Sequence, residues 1–227
     1  SDTPRITISA RELYSKFFTE RVETARIYFL NIDQANRYSP WKDRVTMSNL
    51  CVEILQPTKA ERYTNDPEGE IGVCVLAATN MLKVRSDAHH RKICELEVRV
   101  LDNIISLQEY SIAACERFAT RKRSLGVGIT NLAGWLASQG LNHNSKETPQ
   151  VVSDFMEKQQ YYLMDASCKL AEERGPAPDF ERSKYFEGEF SPLDLYNKNV
   201  DRIVKPYSLD WKTLMGRVSE YGMRNMT

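Results

Sequence analysis

The 227 residues carry 31 basic and 31 acidic side chains with 41% apolar and 10% aromatic residues, an ordinary water-soluble composition long enough to bury a core. A formal net charge of zero argues against a protein that binds by blanketing nucleic-acid phosphates, and no apolar run is long enough to cross a bilayer. The opening SDTPRITISA lacks the basic-then-apolar order of a secretion signal, and five scattered cysteines, Cys51, Cys74, Cys94, Cys115 and Cys168, fit neither a zinc ribbon nor a small disulfide scaffold. A reducing, cytoplasmic setting is expected, with one large or two small domains.

The first third reads as strands and loops. Residues 26–32 (RIYFLNI) are β-branched and aromatic and predict a short strand running into the loop 36–44. Residues 48–55 predict a second extended piece, stopped by Pro57, and Asn65, Asp66, Pro67 and Gly69 predict a turn. The run 71–78 is almost uncharged, as in a strand buried on both faces inside an α/β fold.

After Met81 the period changes. Ile93, Leu96, Val100, Leu101 and Ile104 predict one helix, and Leu125, Ile129, Leu132, Ala133 and Leu136 a second, stopped near Gly140. A longer stripe from Val152 to Leu170 ends at the stop signal Arg174, Gly175, Pro176. A fourth helix starts near Ser208 and Asp210 and buries Trp211, Leu214, Met215 and Val218. The stretch between them, 176–206, is loop-rich, and residues 221–227 (YGMRNMT) look like the opening of a further strand. There is no internal repeat and no low-complexity tract.

The sharpest chemical pattern is Asn49, Cys51 and Glu53 in MSNLCVEI. In extended backbone, residues two apart share a face, so an amide, a thiol and a carboxylate would point together. That set suits radical attack on a sugar hydroxyl: a sulfur to take a hydrogen atom, a carboxylate to take a proton, an amide to hold a neighbouring hydroxyl. Fully extended, the set would span about 13 Å, wider than a ribose, so the backbone must curve if all three touch one sugar. The competing reading is a core strand with a packing cysteine.

Other candidates carry less. Cys74 within IGVCVLA reads locally as a small core hydrophobe, although a pairing with Cys51 stays open. GVGITN (126–131) has the glycines of a phosphate loop without a third glycine, and reads as close helix packing. Arg121, Lys122 and Arg123 read as a solvated basic turn, and His90 with Cys94 is an i, i+4 pair lacking further metal ligands.

Taken in order, RIYFLNIDQAN, SNLCVEI, EIGVCVLAATNM, RKRSLGVGITNLAGWLA and YGMRNMT resemble the catalytic large subunit of class I ribonucleotide reductase, of the bacterial and tailed-phage branch. The resemblance implies part of a ten-stranded α/β barrel with a central finger loop, followed by a mostly helical region: barrel strands and finger over residues 1–82, the helical portion over 83–227. It implies thiyl-radical reduction of a ribonucleoside diphosphate. Cys51 would be the radical thiol, Glu53 the base and Asn49 the sugar ligand, with Leu50 also at the substrate. Cys74 would be one of two redox cysteines, the other lying in a segment with no match here, and Cys94, Cys115 and Cys168 would be bystanders.

The resemblance covers the middle of such a subunit. It implies that the nucleotide-sensing lobe and the C-terminal part lie outside these residues and that the chain is inactive alone. The radical would come from a metal-containing small subunit, and the reductant would be thioredoxin or glutaredoxin. No cofactor or metal is expected in the chain itself, and neither a membrane nor a nucleic acid as a partner. A cobalamin-dependent reductase of the second class and a non-catalytic scaffold piece are the alternatives.

Overall fold

A computed structural model describes residues 4–188, 191–192 and 207–226, so part of the loop-rich stretch 176–206, together with Thr227, lies outside the described residues. Two helices open the chain where strands and loops are expected. In α1 (Ala10–Thr24), Ser9 accepts a hydrogen bond from the Glu12 N–H, Arg21 stands in the last turn and Ala25 closes the helix in the left-handed region. The Ser-x-x-Glu pattern is a local start signal that the residue-type reading passed over. α1 buries no residue; its rings Phe17 and Phe18 meet Phe29 at 5.9 and 5.6 Å, and Phe18 also meets Tyr14 at 4.8 Å. The expected strand 26–32 has no ladder partner among the described residues, and α2 (Ile32–Tyr38) begins where it was to end.

The sheet described consists of β1 (Leu76–Asn80) and β2 (Gly126–Thr130), parallel, with Leu76 opposite Gly126 and Asn80 opposite Thr130. Burial of the 71–78 run on both faces is corrected: Leu76 is 53% exposed, while Val75 and Thr79 are buried. The glycine-rich 126–131 is corrected too. Its first five residues form β2, and the helix α5 (Leu132–Ser138) starts only after Asn131, at φ 63°. Apolar residues at 125, 129, 132 and 136 satisfy helical spacing, but parallel pairing with β1 outweighs that local pattern.

The long helices follow expectation. α3 (Asp87–Leu107) starts at Ser86, whose hydroxyl accepts from the His89 N–H, and α6 (Thr148–Arg174) ends at Gly175 with φ 80°. α6 is buried around most of its circumference and divides the core. One side packs Leu163, Ala166 and Leu170 against Val98, Leu101 and Ile105 of α3 and against Val75 and Leu125. The other sets Met164 and Cys168 against Trp211, Leu214 and Val218 of α7 (Trp211–Tyr221), capped by Asp210 as expected. Gly222 follows at φ 77°, where a Cβ would stand 2.8 Å from the Pro176 Cβ and 3.2 Å from the Phe180 ring, so only glycine fits.

Residues 222–226 are not assigned as a strand, yet the Leu125 N–H donates to the Met226 carbonyl at 2.9 Å and the Gly126 N–H to Val75 at 3.0 Å. Successive N–H groups along a strand point opposite ways, so Met226 lies on the edge of β2 away from β1, where a further strand would pair.

The expected solvated basic turn is also corrected. Arg121 to Arg123 end the helix α4 (Ala113–Lys122) and are anchored by ion pairs, with Lys122 and Arg123 buried. Arg121 reaches Asp179 at 2.7 Å, Lys122 binds Glu70, and Arg123 binds the buried Asp102 at 2.6 Å. Asp102 also receives Arg174, Arg224 and Asn225, which ties the 222–226 segment to α3 and α6. Among the described residues no helix is long and apolar enough to cross a membrane.

Candidate active site

The segment expected to be extended, residues 48–55, is a loop closed by a tight turn: the Val52 N–H donates to the Asn49 carbonyl at 3.0 Å, and Val52 sits at φ 60°. This is the curvature that convergence on one ring demands. Both ends of the Asn49 amide are engaged, Nδ2 donating to Glu53 Oε1 at 2.5 Å and Oδ1 accepting from the Ile54 N–H at 3.1 Å. A carboxylate accepts and a backbone N–H donates, which fixes the orientation of the amide. Ser48, missed by the sequence reading, donates its hydroxyl to the Ile54 carbonyl at 2.6 Å and closes the neck of the loop. Leu50, Cys51 and Glu53 stand exposed at the tip.

Cys74 is not the core residue that its apolar neighbours suggest; its thiol is free and exposed. Partial burial pushes the thiol above its ordinary value, and the neighbouring Glu53 and Cys51 charges push it further in the same direction. The two cysteines and the carboxylate therefore share one electrostatic neighbourhood. Asn49 and Cys74 also line one cleft of about 400 Å³, with Ile54, Val73, Glu70 and Phe118 among its walls. That volume falls within the range of small-molecule sites.

The remaining candidates lie elsewhere. His90 and Cys94 both meet Gln159 Oε1, at 2.6 and 3.7 Å, and His90 stacks on Phe155. Burial holds His90 below its usual range and drives Cys94 up to about 12. Cys168, driven to about 11 by burial, sits in the core between α6 and α7. Neither thiol can furnish a thiolate near neutrality. Among the described residues no three or more His, Cys, Asp or Glu side chains gather as a metal site.

Residues 1–227 match the ribonucleotide reductase barrel-domain family. The chain is 38% identical over 225 residues to the ribonucleoside-diphosphate reductase subunit alpha of Buchnera aphidicola subsp. Acyrthosiphon pisum, which covers 97% of this chain and 29% of that protein. It is 38% identical over 226 residues to the enterobacteria phage T4 protein of the same name, with 97% and 29% covered. Against the Escherichia coli K12 ribonucleoside-diphosphate reductase 1 subunit alpha it is 37% identical over 224 residues, again covering 97% and 29%. The chain thus spans less than a third of the length of these relatives.

Proposed function

We propose that this chain, which belongs to the ribonucleotide reductase barrel-domain family, carries the reaction centre of a ribonucleoside-diphosphate reductase alpha subunit. The observation that carries the reading is the turn that brings Asn49 onto Glu53 at 2.5 Å, with Cys51 between them and Cys74 in the same electrostatic neighbourhood.

In this reading Cys51, as a thiyl radical, takes the hydrogen atom from C3′ of a ribonucleoside diphosphate. Glu53 takes the 3′-hydroxyl proton and hands it to the C2′ hydroxyl, which leaves as water, and Asn49 holds the sugar hydroxyls beside Leu50 at the tip. Two electrons and two protons then come from Cys74 and a second cysteine, which close a disulfide. Cys51 returns the hydrogen atom to C3′ and is again a thiyl radical. The sum is substrate plus dithiol giving deoxynucleotide, water and disulfide. A separate metal-containing small subunit supplies the radical, and a thioredoxin or glutaredoxin reduces the disulfide. The chain works with the rest of the large-subunit polypeptide, in the cytoplasm.

The test combines this chain with a polypeptide covering the rest of the relatives' length, the small subunit and a dithiol, and measures deoxyribonucleoside diphosphate. Turnover is expected, and Cys51→Ser is expected to abolish it while substrate still binds. Product formation by Cys51→Ser, or a requirement for adenosylcobalamin in place of the small subunit, would overturn the proposal.

A further inference from the structure

We propose that the buried ion cluster at the root of the finger loop is a positioning device, in which Lys122 and Arg182 hold the Cys74 arm against the finger tip; this rests on the roles given above to Cys51 and Cys74. Arg182 binds Asp43 at 2.5 Å, Asp179 at 3.2 Å and Glu70 at 3.6 Å. Lys122 binds Glu70 and stands 3.6 Å from Asp179, which also receives Arg121 at 2.7 Å. Lys59 adds an outer contact to Glu70 at 3.6 Å. Asp43 precedes the finger and Glu70 follows it, so Arg182 pairs with a carboxylate at each root, and Lys122 locks the second.

The second root is fixed along one face of α4. The Ala114 carbonyl accepts from the Ile71 N–H at 3.2 Å, and Arg117 donates to the Asp66 and Gly69 carbonyls at 2.6 and 2.9 Å. Phe118 lines the cleft, and Lys122, one turn further on, reaches Glu70. Positions 114, 117, 118 and 122 follow helical spacing, so one rigid face grips residues 66–71, just ahead of Cys74.

The first root is gripped from the other side. Trp41 and Ser183 form an antiparallel bridge, the Lys42 N–H donates to the Arg182 carbonyl and the Lys184 N–H to the Pro40 carbonyl. Lys122 is fully buried beneath this junction, with its ammonium 5.0 Å from the Phe118 ring and 5.7 Å from the Trp41 ring. Apolar side chains could fill such a site with equal stability. Ion pairs add direction, because each charge fixes where its partner's backbone stands.

The test uses the 227-residue chain and follows alkylation of each cysteine by iodoacetamide against pH, read by peptide mass spectrometry. Cys74 shares its surroundings with Glu53, Cys51, Lys59, Glu61 and Glu70, and in the parent chain its profile should lie above that of an ordinary thiol. Lys122→Met and Arg182→Gln should each move that profile down and raise the Cys74 rate at pH 7.5 by about threefold, the thiolate gain for half a pH unit. Lys122→Arg should restore the parent profile, and the buried Cys94 and Cys168 should stay unreactive. Should Lys122→Met fail to fold, Arg182→Gln carries the test, since that side chain is 30% exposed.

An unchanged Cys74 profile in the folded variants overturns the proposal, as does simultaneous exposure of Cys94 and Cys168 in Arg182→Gln, which would mark general unfolding. Failure of Lys122→Arg to rescue a folded Lys122→Met also overturns it. No turnover is measured, so a failure here is separable from failure of the reductase reading, which the reconstitution assay decides.

Discussion

The tip and the root of the finger loop are built on opposite principles. At the tip, the six residues 49–54 set Asn49 and Glu53 through hydrogen bonds within the loop itself, and Cys51 and Glu53 face solvent. At the root, Glu70, Lys122 and Asp179 are buried, and Lys122 with Glu70 and Arg121 with Asp179 join segments 52 and 58 residues apart. The contrast teaches that chemistry needing access to a substrate sits on a short exposed turn, while its placement is delegated to charges that water cannot screen.

The largest expected effect separates the two. Cys51→Ser should remove product formation by at least about 10³-fold in the reconstituted enzyme, while its melting stays within about 0.5 kcal/mol of the parent. Lys122→Met should do the reverse in kind: urea unfolding should show a loss of about 3–5 kcal/mol, because Glu70 and Asp179 are left buried beside a missing cation. A tip mutant as destabilising as the root mutant would break the comparison.

Acid should act on the root. Burial raises the Glu70, Asp102 and Asp179 carboxyls, but Lys122, Arg123 and Arg121 respectively oppose it, and the net shift is downward from 4.5, 3.8 and 3.8. A depressed native value means that the stabilisation is complete above the unfolded value and is lost as pH falls below it. Melting temperature followed from pH 7 to pH 2 should therefore drop as these carboxylates protonate. Loss of that drop in Glu70→Gln would assign its part to Glu70.

Smaller effects sharpen the tip. Asn49→Ala removes the acceptor of the Ile54 N–H and the donor to Glu53, and should cost about 1 kcal/mol with faster amide exchange at Ile54. Val52→Gly relieves a β-branched residue at φ 60° and should raise stability by about 0.5 kcal/mol in thermal melts. A loss of stability there would mean that the turn is held by the Val52 side chain instead of by its backbone.

How much of this was legible follows from where each partner lies in the chain. α3, α6 and α7 were read correctly because their apolar stripes are long, and Gly175 and Asp210 mark an end of α6 and of α7 by signals acting within a turn. α1 was missed although Ser9 and Glu12 form a start signal, since the aromatic residues that follow favour strands equally well. β2 was read as helix because its five residues fit both periods, and its partner β1 lies 50 residues earlier. The Asn49, Cys51 and Glu53 pattern was visible in residue types alone, although its radical role came only with the family resemblance and is a proposal. Cys74 was not, because IGVCVLA states that its neighbours are apolar and says nothing about which face remains open.

The amino-acid sequence by itself determined the long helices α3, α6 and α7, the Asn49, Cys51 and Glu53 pattern and the resemblance to the family, all of which depend on residues close together or in fixed order. Only the tertiary structure decided that Arg121, Lys122 and Arg123 face carboxylates instead of water, that 126–130 is a strand, and that Cys74 shares the field of Glu53 and Cys51. Those outcomes depend on partners brought together from distant parts of the chain. Charge pairing and strand pairing reward proximity in space, which local composition does not encode.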